Sequence, residues 1–193
     1  NVAACLIVLL GSLLGTESPL TITQMLWVNL IMDTFAAGAL ASLPPNERVM
    51  KDKPRRSGKD GDFIITRPMA YNIFGVGFAF VVILMGLLFY FHAQDGLTPH
   101  DLSWFFSFFV MLQFWNMFNA KAFMEGRSAF ANLKDSKSFL LVALLILIGQ
   151  YLIVTFGGEM FSVIPLSLRD WAIIIGSSSL VLWIGELFRL SKR

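Results

Sequence analysis

The sequence is short of charged residues and of cysteine, and each shortage excludes a class of protein. Only 15% of the 193 residues are charged, 56% are hydrophobic, and the mean hydropathy is +0.68. Soluble domains carry about 25% charged residues, so this composition argues against a water-soluble fold. The single cysteine, Cys5, cannot form a disulfide within the chain. The composition therefore favours a membrane protein.

Long apolar blocks take the place of the missing charge. A helix needs roughly 20 apolar residues to cross a bilayer, and five blocks come close to that length. They cover residues 20–43, 69–91, 102–124, 139–156 and 171–188. A further apolar stretch, 1–14, is too short to cross alone and is expected to be the second half of a helix. The predicted fold class is all-α: a polytopic membrane helix bundle of five full transmembrane helices plus a truncated N-terminal helix.

The basic residues lie on one side of these predicted spans. Of the fifteen Lys and Arg residues, fourteen lie in segment 44–68, near the loop between 124 and 139, or at the C-terminal end, and only Arg169 lies opposite. Short cytoplasmic loops collect basic residues, so the basic loops and the C-terminus are predicted to be cytoplasmic. Membrane topology and anionic lipid explain this charge. Nucleic acid is therefore not expected as a partner, and membrane lipid is.

Asn29 and Asp33 are the main functional clue. Both lie inside the apolar block 20–43, where a charged side chain costs roughly 2.5–3.5 kcal/mol on insertion scales. Their i and i+4 spacing puts them on one helical face, with oxygens that could converge on a small hard cation. Small residues follow the acid, and helix packing accounts for them more simply than ligation does. The two side chains are the candidate metal ligands, on a cation path through the bundle.

Other polar side chains within the spans are expected to be structural. Gln113, Asn116 and Asn119 recur every three residues, and such amides usually hydrogen-bond between helices, although Gln113 could also face the cation path. Gln150, deep in its block, is expected to be satisfied by neighbours or by a carbonyl of its own helix. Glu186, close to Arg189, is expected to extend toward water.

The run at residues 24–36, QMLWVNLIMDTFA, followed by the proline pair at 44 and 45, resembles the sixth transmembrane helix of P-type calcium-pumping ATPases. Two later motifs are similar to the last four helices of that family. These are ITRP at 65–68, leading into the NI pair at 72–73, and NMFNA at 116–120. The resemblance covers the whole chain, as a C-terminal transmembrane domain running from mid helix five to helix ten over residues 1–193.

By position, the resemblance implies that Asn29 and Asp33 are calcium ligands and that Asn1 matches a helix-five Asn. The sequence departs from the two-site sarcoplasmic-reticulum type, which has Glu, Thr and Glu where this chain has Ala4, Met32 and Gln113. It instead resembles the plasma-membrane type, which keeps one calcium site. Without those two carboxylates a second divalent ion would be poorly compensated.

The family's phosphorylated Asp, in its Asp-Lys-Thr-Gly-Thr motif, is absent from this sequence, as are its nucleotide-binding and actuator domains. No catalytic or cofactor-binding residue is therefore assigned here. The resemblance implies that calcium is the transported ion, and that ATP and Mg are used by a parent enzyme rather than bound by this segment. The implied partners are helices one to four and the cytoplasmic domains, with the loop 44–68 touching the phosphorylation domain. The implied location is a plasma membrane or a bacterial inner membrane.

Two alternatives remain open at this point. A lone Asp and Asn are also compatible with transport of Na⁺, H⁺ or Mn²⁺ by the same family. A different class of function is a self-standing membrane module without enzymatic activity, which uses the bundle as a platform.

Overall fold

The computed structural model describes residues 2–13, 18–44, 65–125 and 127–191. Within these ranges every regular element is a helix, so the all-α prediction is confirmed for the described part of the chain. The α-helices are α1 (Val2–Leu13), α2 (Ile22–Leu26), α3 (Asp33–Ala41), α4 (Arg67–Asp95), α5 (Pro99–Glu125), α6 (Lys137–Phe156), α7 (Gly158–Phe161), α8 (Leu168–Ser178) and α9 (Leu180–Ser191). A π-helical segment, Trp27–Met32, joins α2 to α3, and a short 3-10 helix, Leu133–Asp135, precedes α6.

The helix α5 lies at the centre of the described bundle, in contact with α3, α4, α6, α8 and α9. Its aromatic residues explain this position: Phe105, Phe106 and Phe109 have no exposed surface. Farther along, Phe118 packs edge-on against Phe139 of α6, with ring centroids 5.0 Å apart. Close packing of these rings contributes van der Waals and edge-to-face contacts to this core.

The helix α1 packs along α4 through its small residues. Ala3, Ala4 and Gly11 are buried on the packed face. A Cβ added to Gly77 of α4 would lie 3.9 Å from the Val2 side chain, which is an ordinary van der Waals contact between the two helices. Small residues at such contacts are typical of helices packed in membranes.

Local signals set the helix ends. The Thr66 hydroxyl accepts from the Met69 N–H and caps α4, with Pro68 in the first turn. The Ser167 hydroxyl and the Asp170 carboxylate form a capping box at the start of α8. Ser179 separates α8 from α9. Two residues before it, the Ser177 hydroxyl donates to the Ile173 carbonyl. Serine bonds of this kind often bend helices.

Three helices in the described part of the chain are long and apolar enough to cross a membrane: Arg67–Ala93, Lys137–Phe156 and Leu168–Ser191. The predicted count of five full spans is therefore not established. The helix α5 has sufficient length but carries Gln113, Asn116 and Asn119, and the predicted span 20–43 is divided by its π segment. The partial helix predicted at 1–14 is present as α1. Most of the predicted loop 44–68 lies outside the described residues, as does Asn1.

Large apolar side chains cover the outside of the bundle, as expected of a surface that faces lipid. Along α6 the exposed side chains include Leu141, Leu144, Leu145 and Ile148. Such an extensive apolar surface would be unfavourable in water. The helices and their exposed faces together identify the chain as an integral membrane protein segment.

Candidate cation site

The helix that carries the candidate ligands begins at a capping box. The Thr21 hydroxyl accepts from the Gln24 N–H at 3.4 Å, and the Gln24 Oε1 accepts from the Thr21 N–H at 3.0 Å. The Gln24 amide nitrogen also donates to the carbonyl of Phe161 at 2.8 Å. The buried Gln24 side chain thus fixes the start of the helix to the turn α7.

The helix widens immediately after this anchored turn. Residues Trp27–Met32 form a π-helix, and the Asp33 N–H donates to the Val28 carbonyl, five residues back instead of four. The π-helix is rare, occurs mostly as a single turn within α-helices, and is frequent at functional sites. An extra residue in one turn changes the direction of the side chains and disturbs the regular hydrogen bonding of the backbone carbonyls. Asn29 therefore lies in the part of the helix whose backbone hydrogen bonding is not α-helical.

The side-chain oxygen of Asn29 is buried and has no hydrogen-bond partner among the described residues. A buried acceptor without a donor costs about 1–3 kcal/mol, so it points to a ligand or to a partner supplied from elsewhere. Asp33 follows one turn later as the first residue of α3, and it is half-buried. The two residues bring an amide oxygen and a carboxylate to the widened part of the helix. Both are oxygen donors of the type that Ca²⁺ and other hard cations take.

The widened segment packs against α6 through Trp27. The indole Nε1–H donates to the Gln150 Oε1 at 2.9 Å. A Cβ placed on Gly149 would lie 2.6 Å from the edge of the same indole, so only glycine fits there. The prediction that Gln150 is satisfied by a neighbour is correct for its oxygen, whereas its Nε2 has no partner among the described residues.

The regularly spaced amides of α5 have different roles. Asn119 donates to the Val181 carbonyl at 3.0 Å and accepts from Arg189 at 2.9 Å, so its predicted role as a link between helices is confirmed. Gln113 is half-buried on α5, which packs against α3. Its role in the cation path stays a prediction.

A second polar cluster, which we term the polar anchor, consists of Asn119, Lys121, Glu186 and Arg189. The Glu186 Oε1 accepts from the Ala129 N–H at 2.6 Å and from Arg189 at 2.7 Å. Glu186 is only 9% exposed, so the expectation that it extends toward water is wrong. The carboxylate is held inward because a cation and a backbone donor compensate its charge.

Lys121 of the polar anchor also departs from its expected place among the basic loop residues. It is fully buried, and its Nζ donates to the Ala131 carbonyl at 2.6 Å. The anchor therefore ties the turn 127–136 to the ends of α5 and α9. An ammonium group buried at a helix end, where carbonyls are unsatisfied, is stabilised by such acceptors.

No group of three or more His, Cys, Asp and Glu side chains in the described ranges is arranged to hold a metal ion. His100 instead lies 3.3 Å from the Asp170 carboxylate at the opposite end of the bundle. The candidate ligands in the described part of the chain are the side-chain oxygens of Asn29 and Asp33. Ca²⁺ takes about 6–8 oxygen ligands, so these atoms are part of a ligand set.

Two features of the site were not foreseen from the sequence. The π segment has no composition signal that separates it from the α-helix around it. The contact of Trp27 with α6 had a weak signal, since Gly149 and Gln150 are adjacent departures from an otherwise apolar helix. Together they would have indicated a close and directional contact.

Residues 17–191 match the protein family described as "Cation transporting ATPase, C-terminus". The chain is 35% identical over 200 residues to "Plasma membrane calcium-transporting ATPase 1" of Homo sapiens, which covers 97% of this chain and 16% of that protein. It is 36% identical over 194 residues to "Plasma membrane calcium-transporting ATPase 3" of Homo sapiens, with 94% and 16% covered. For "Plasma membrane calcium-transporting ATPase 2" of Oreochromis mossambicus the identity is 35%, with 94% and 17% covered. The chain thus spans about a sixth of the length of these relatives.

Proposed function

Because this chain belongs to the family of cation transporting ATPase C-terminal regions, we propose that it is the membrane-embedded, cation-binding portion of an ATP-driven calcium pump. The observation that carries this proposal is the buried Asn29 oxygen, unpartnered among the described residues, in a widened helical turn just before Asp33. Asn29 and Asp33 are the proposed ligands. The names of the relatives favour calcium over Na⁺, H⁺ or Mn²⁺ as the ion.

The chemistry of the two ligands suits the transport of a divalent ion. Asp33 supplies the negative charge that offsets the loss of the ion's hydration, and the Asn29 oxygen adds a neutral donor. The π segment supports this because a disturbed carbonyl ladder makes backbone oxygens available as further ligands. The remaining ligands are proposed to come from other helices of the parent pump.

A single calcium site is part of the proposal. Ala4 and Met32 are buried apolar residues, and Gln113 is neutral, so none of the three positions adds negative charge. Without carboxylates at these positions, a second divalent ion in a low-dielectric bundle would be poorly compensated.

The proposed setting is that of the whole pump. Five full spans and one partial helix cross the bilayer, with the basic loops and the C-terminus in the cytoplasm. The parent pump supplies helices one to four and the cytoplasmic domains that bind ATP and Mg and carry out hydrolysis. The proposed location is a plasma membrane or a bacterial inner membrane, in contact with lipid and not with nucleic acid.

The experiment is to replace Asp33 by Asn in the complete pump and to measure phosphorylation by ATP as calcium is raised. We expect calcium-dependent phosphorylation to be lost, because the neutral amide removes the negative charge that this chain contributes to the site. The matched control is Glu159→Gln, which makes the same chemical change at an exposed residue. It should leave the calcium dependence unchanged. Retention of the calcium dependence at unchanged affinity in Asp33→Asn refutes the ligand assignment.

The choice of ion has its own measurement. ATP hydrolysis by the complete pump is measured with Ca²⁺, Mn²⁺, Na⁺ and H⁺ as the varied cation. Stimulation by Ca²⁺ at the lowest concentration supports the proposal. Stimulation by another cation alone assigns the same site to that ion. Absence of ATP hydrolysis with every cation favours the non-enzymatic membrane module.

A further inference from the structure

The π segment is joined to α6 by a directional side-chain bond at its first residue. Trp27 begins the π segment, and its indole N–H donates to the Gln150 Oε1 of α6 at 2.9 Å. The indole ring lies against Gly149, where a Cβ would come within 2.6 Å of it. Position and direction of the ring are therefore both restricted by two adjacent residues of α6.

The orientation of the Gln150 amide follows from hydrogen-bond chemistry. An indole nitrogen only donates, so it must face the amide oxygen and not the amide nitrogen. The Gln150 nitrogen is then left without an acceptor among the described residues, although the residue has no exposed surface. An isosteric apolar side chain at this place would instead leave the indole N–H of Trp27 without its acceptor. The directional bond to Trp27, and not the filling of space alone, therefore accounts for a glutamine at position 150.

The place of this bond along the chain gives it a consequence for the ligands. Trp27 lies two residues before Asn29 and six before Asp33, at the point where the helix changes from α to π. The register of a π turn, meaning the residues that it includes, determines the direction of the side chains within it and after it. A side chain fixed at its first residue selects one register, and the register sets the direction of both ligands.

We propose that Gln150 and Gly149 are positioning residues for the cation site, acting through Trp27 to fix the register of the π segment. This inference rests on the proposed function of Asn29 and Asp33 as ligands. Loss of the Trp27–Gln150 bond lets the segment sample other registers. The site then binds its cation more weakly, while the steps that do not involve the ion keep their rates.

The test uses the complete pump and separates cation affinity from the other kinetic parameters. The variants are Gln150→Met, which keeps the size and removes the acceptor, and Trp27→Phe, which removes the donor. We expect each to raise the calcium concentration for half-maximal ATP hydrolysis about tenfold, the size expected from one lost hydrogen bond to a buried donor. The maximal rate and the half-saturating ATP concentration should stay within about twofold. Combining the two changes should add little, because both remove the same bond.

A double substitution at Gly149 and Trp27 tests the contact between the two residues through calcium activation. Gly149→Ala should weaken calcium activation about tenfold, because its methyl group meets the far edge of the indole. The smaller phenyl ring of Trp27→Phe lacks that edge, so Gly149→Ala should cause no further loss in that background. The controls are Trp183→Phe, at a residue 53% exposed, and Gly176→Ala, where no atom lies within 4 Å of the added Cβ. Both should leave calcium activation unchanged.

The outcomes distinguish this inference from the function on which it rests. If Trp27→Phe and Gln150→Met leave calcium activation within twofold while Asp33→Asn abolishes it, the positioning role is wrong and the ligand assignment stands. If Asp33→Asn itself leaves calcium activation unchanged, the proposed function fails first. A parallel fall in maximal rate and ATP affinity in all α6 variants shows a general structural role and also overturns the inference. Should Gln150→Met not fold, Trp27→Phe decides by the same criterion.

Discussion

Two regions of the bundle each hold an asparagine, and they use its amide in opposite ways. In the polar anchor, Asn119 donates to the Val181 carbonyl and accepts from Arg189, so both ends of the amide are bonded. In the π segment, the Asn29 oxygen is buried with no partner within the described ranges. A fully bonded amide stabilises a fold, whereas an unpaired one lowers its stability. The difference separates a residue that holds helices together from one that is available to a ligand.

The two carboxylates of these regions differ in their surroundings. Glu186 of the polar anchor has an Arg189 guanidinium at 2.7 Å and the Ala129 N–H at 2.6 Å. Asp33 is half-buried and begins α3, directly after the π segment that carries Asn29. The contrast leads to opposite expectations. Changes in the anchor should lower stability, and changes in the π segment should lower cation affinity.

The largest expected effect is on stability in the polar anchor. Glu186→Leu removes the carboxylate that pairs with Arg189 and leaves the buried Ala129 N–H without its acceptor, which should cost about 3–5 kcal/mol. Thermal unfolding of the complete pump in detergent measures this as a lower midpoint. The pump that remains folded should keep its calcium affinity. A loss of calcium affinity without a loss of stability contradicts the structural role of the anchor.

The same substitution at each of the two asparagines tests the comparison most sharply. Asn29→Leu should lower calcium affinity about tenfold or more by removing a ligand, with stability unchanged or raised because a buried unpaired oxygen is lost. Asn119→Leu should instead lower stability by about 1–3 kcal/mol, since it removes the bonds to Arg189 and to the Val181 carbonyl, and should leave calcium affinity unchanged. Calcium titration and thermal unfolding of both variants provide the four values. If both variants show the same changes in calcium affinity and stability, the two asparagines do not have different roles.

A smaller effect is expected where the anchor meets α9. A Cβ at Gly185 would collide with the side-chain oxygen of Asn119. Gly185→Ala should therefore lower stability by about 1–3 kcal/mol, the usual cost of overpacking. The matched control is Gly86→Ala on α4, where no atom lies within 4 Å of the added Cβ. Equal unfolding midpoints for the two variants would mean that the contact is not tight.

The smallest effect is expected at the hydroxyl of Ser177, which bonds only within its own helix. The hydroxyl donates to the Ile173 carbonyl at 2.6 Å and the residue is exposed. Ser177→Ala should change stability by less than about 0.5 kcal/mol and leave calcium affinity unchanged. A large loss of stability or of calcium affinity in Ser177→Ala would show that the bend near Ser179 contributes to the fold or to the cation site.

The sequence predicted the helices well because apolar length and polar interruptions determine them directly. Residues 69–91, 102–124 and 139–156 each fall within a described helix, and the weaker block 1–14 corresponds to α1. The number of membrane-spanning helices did not follow with equal certainty. A few polar amides lower the mean hydropathy of a helix, as in α5, where Gln113, Asn116 and Asn119 lie within an otherwise aromatic helix.

The sequence singled out Asn29 and Asp33 as candidate ligands, which stays a prediction, but it did not reveal the geometry around them. The spacing of Asn29 and Asp33 assumed an ordinary α-helix, whereas Asn29 lies in a π turn. Tertiary contacts with α6 set that turn, and such contacts are separated by more than one hundred residues in the chain. The inward position of Glu186 was missed for the same reason. Its partner Ala129 belongs to a turn far away in sequence.

The number of calcium ions bound at equilibrium by the complete pump tests the central claim most directly, compared between the unaltered protein and Asp33→Asn. Our account predicts one bound ion in the former and none in the latter at the same free calcium concentration, with both proteins folded. Equal calcium binding by the two would contradict it.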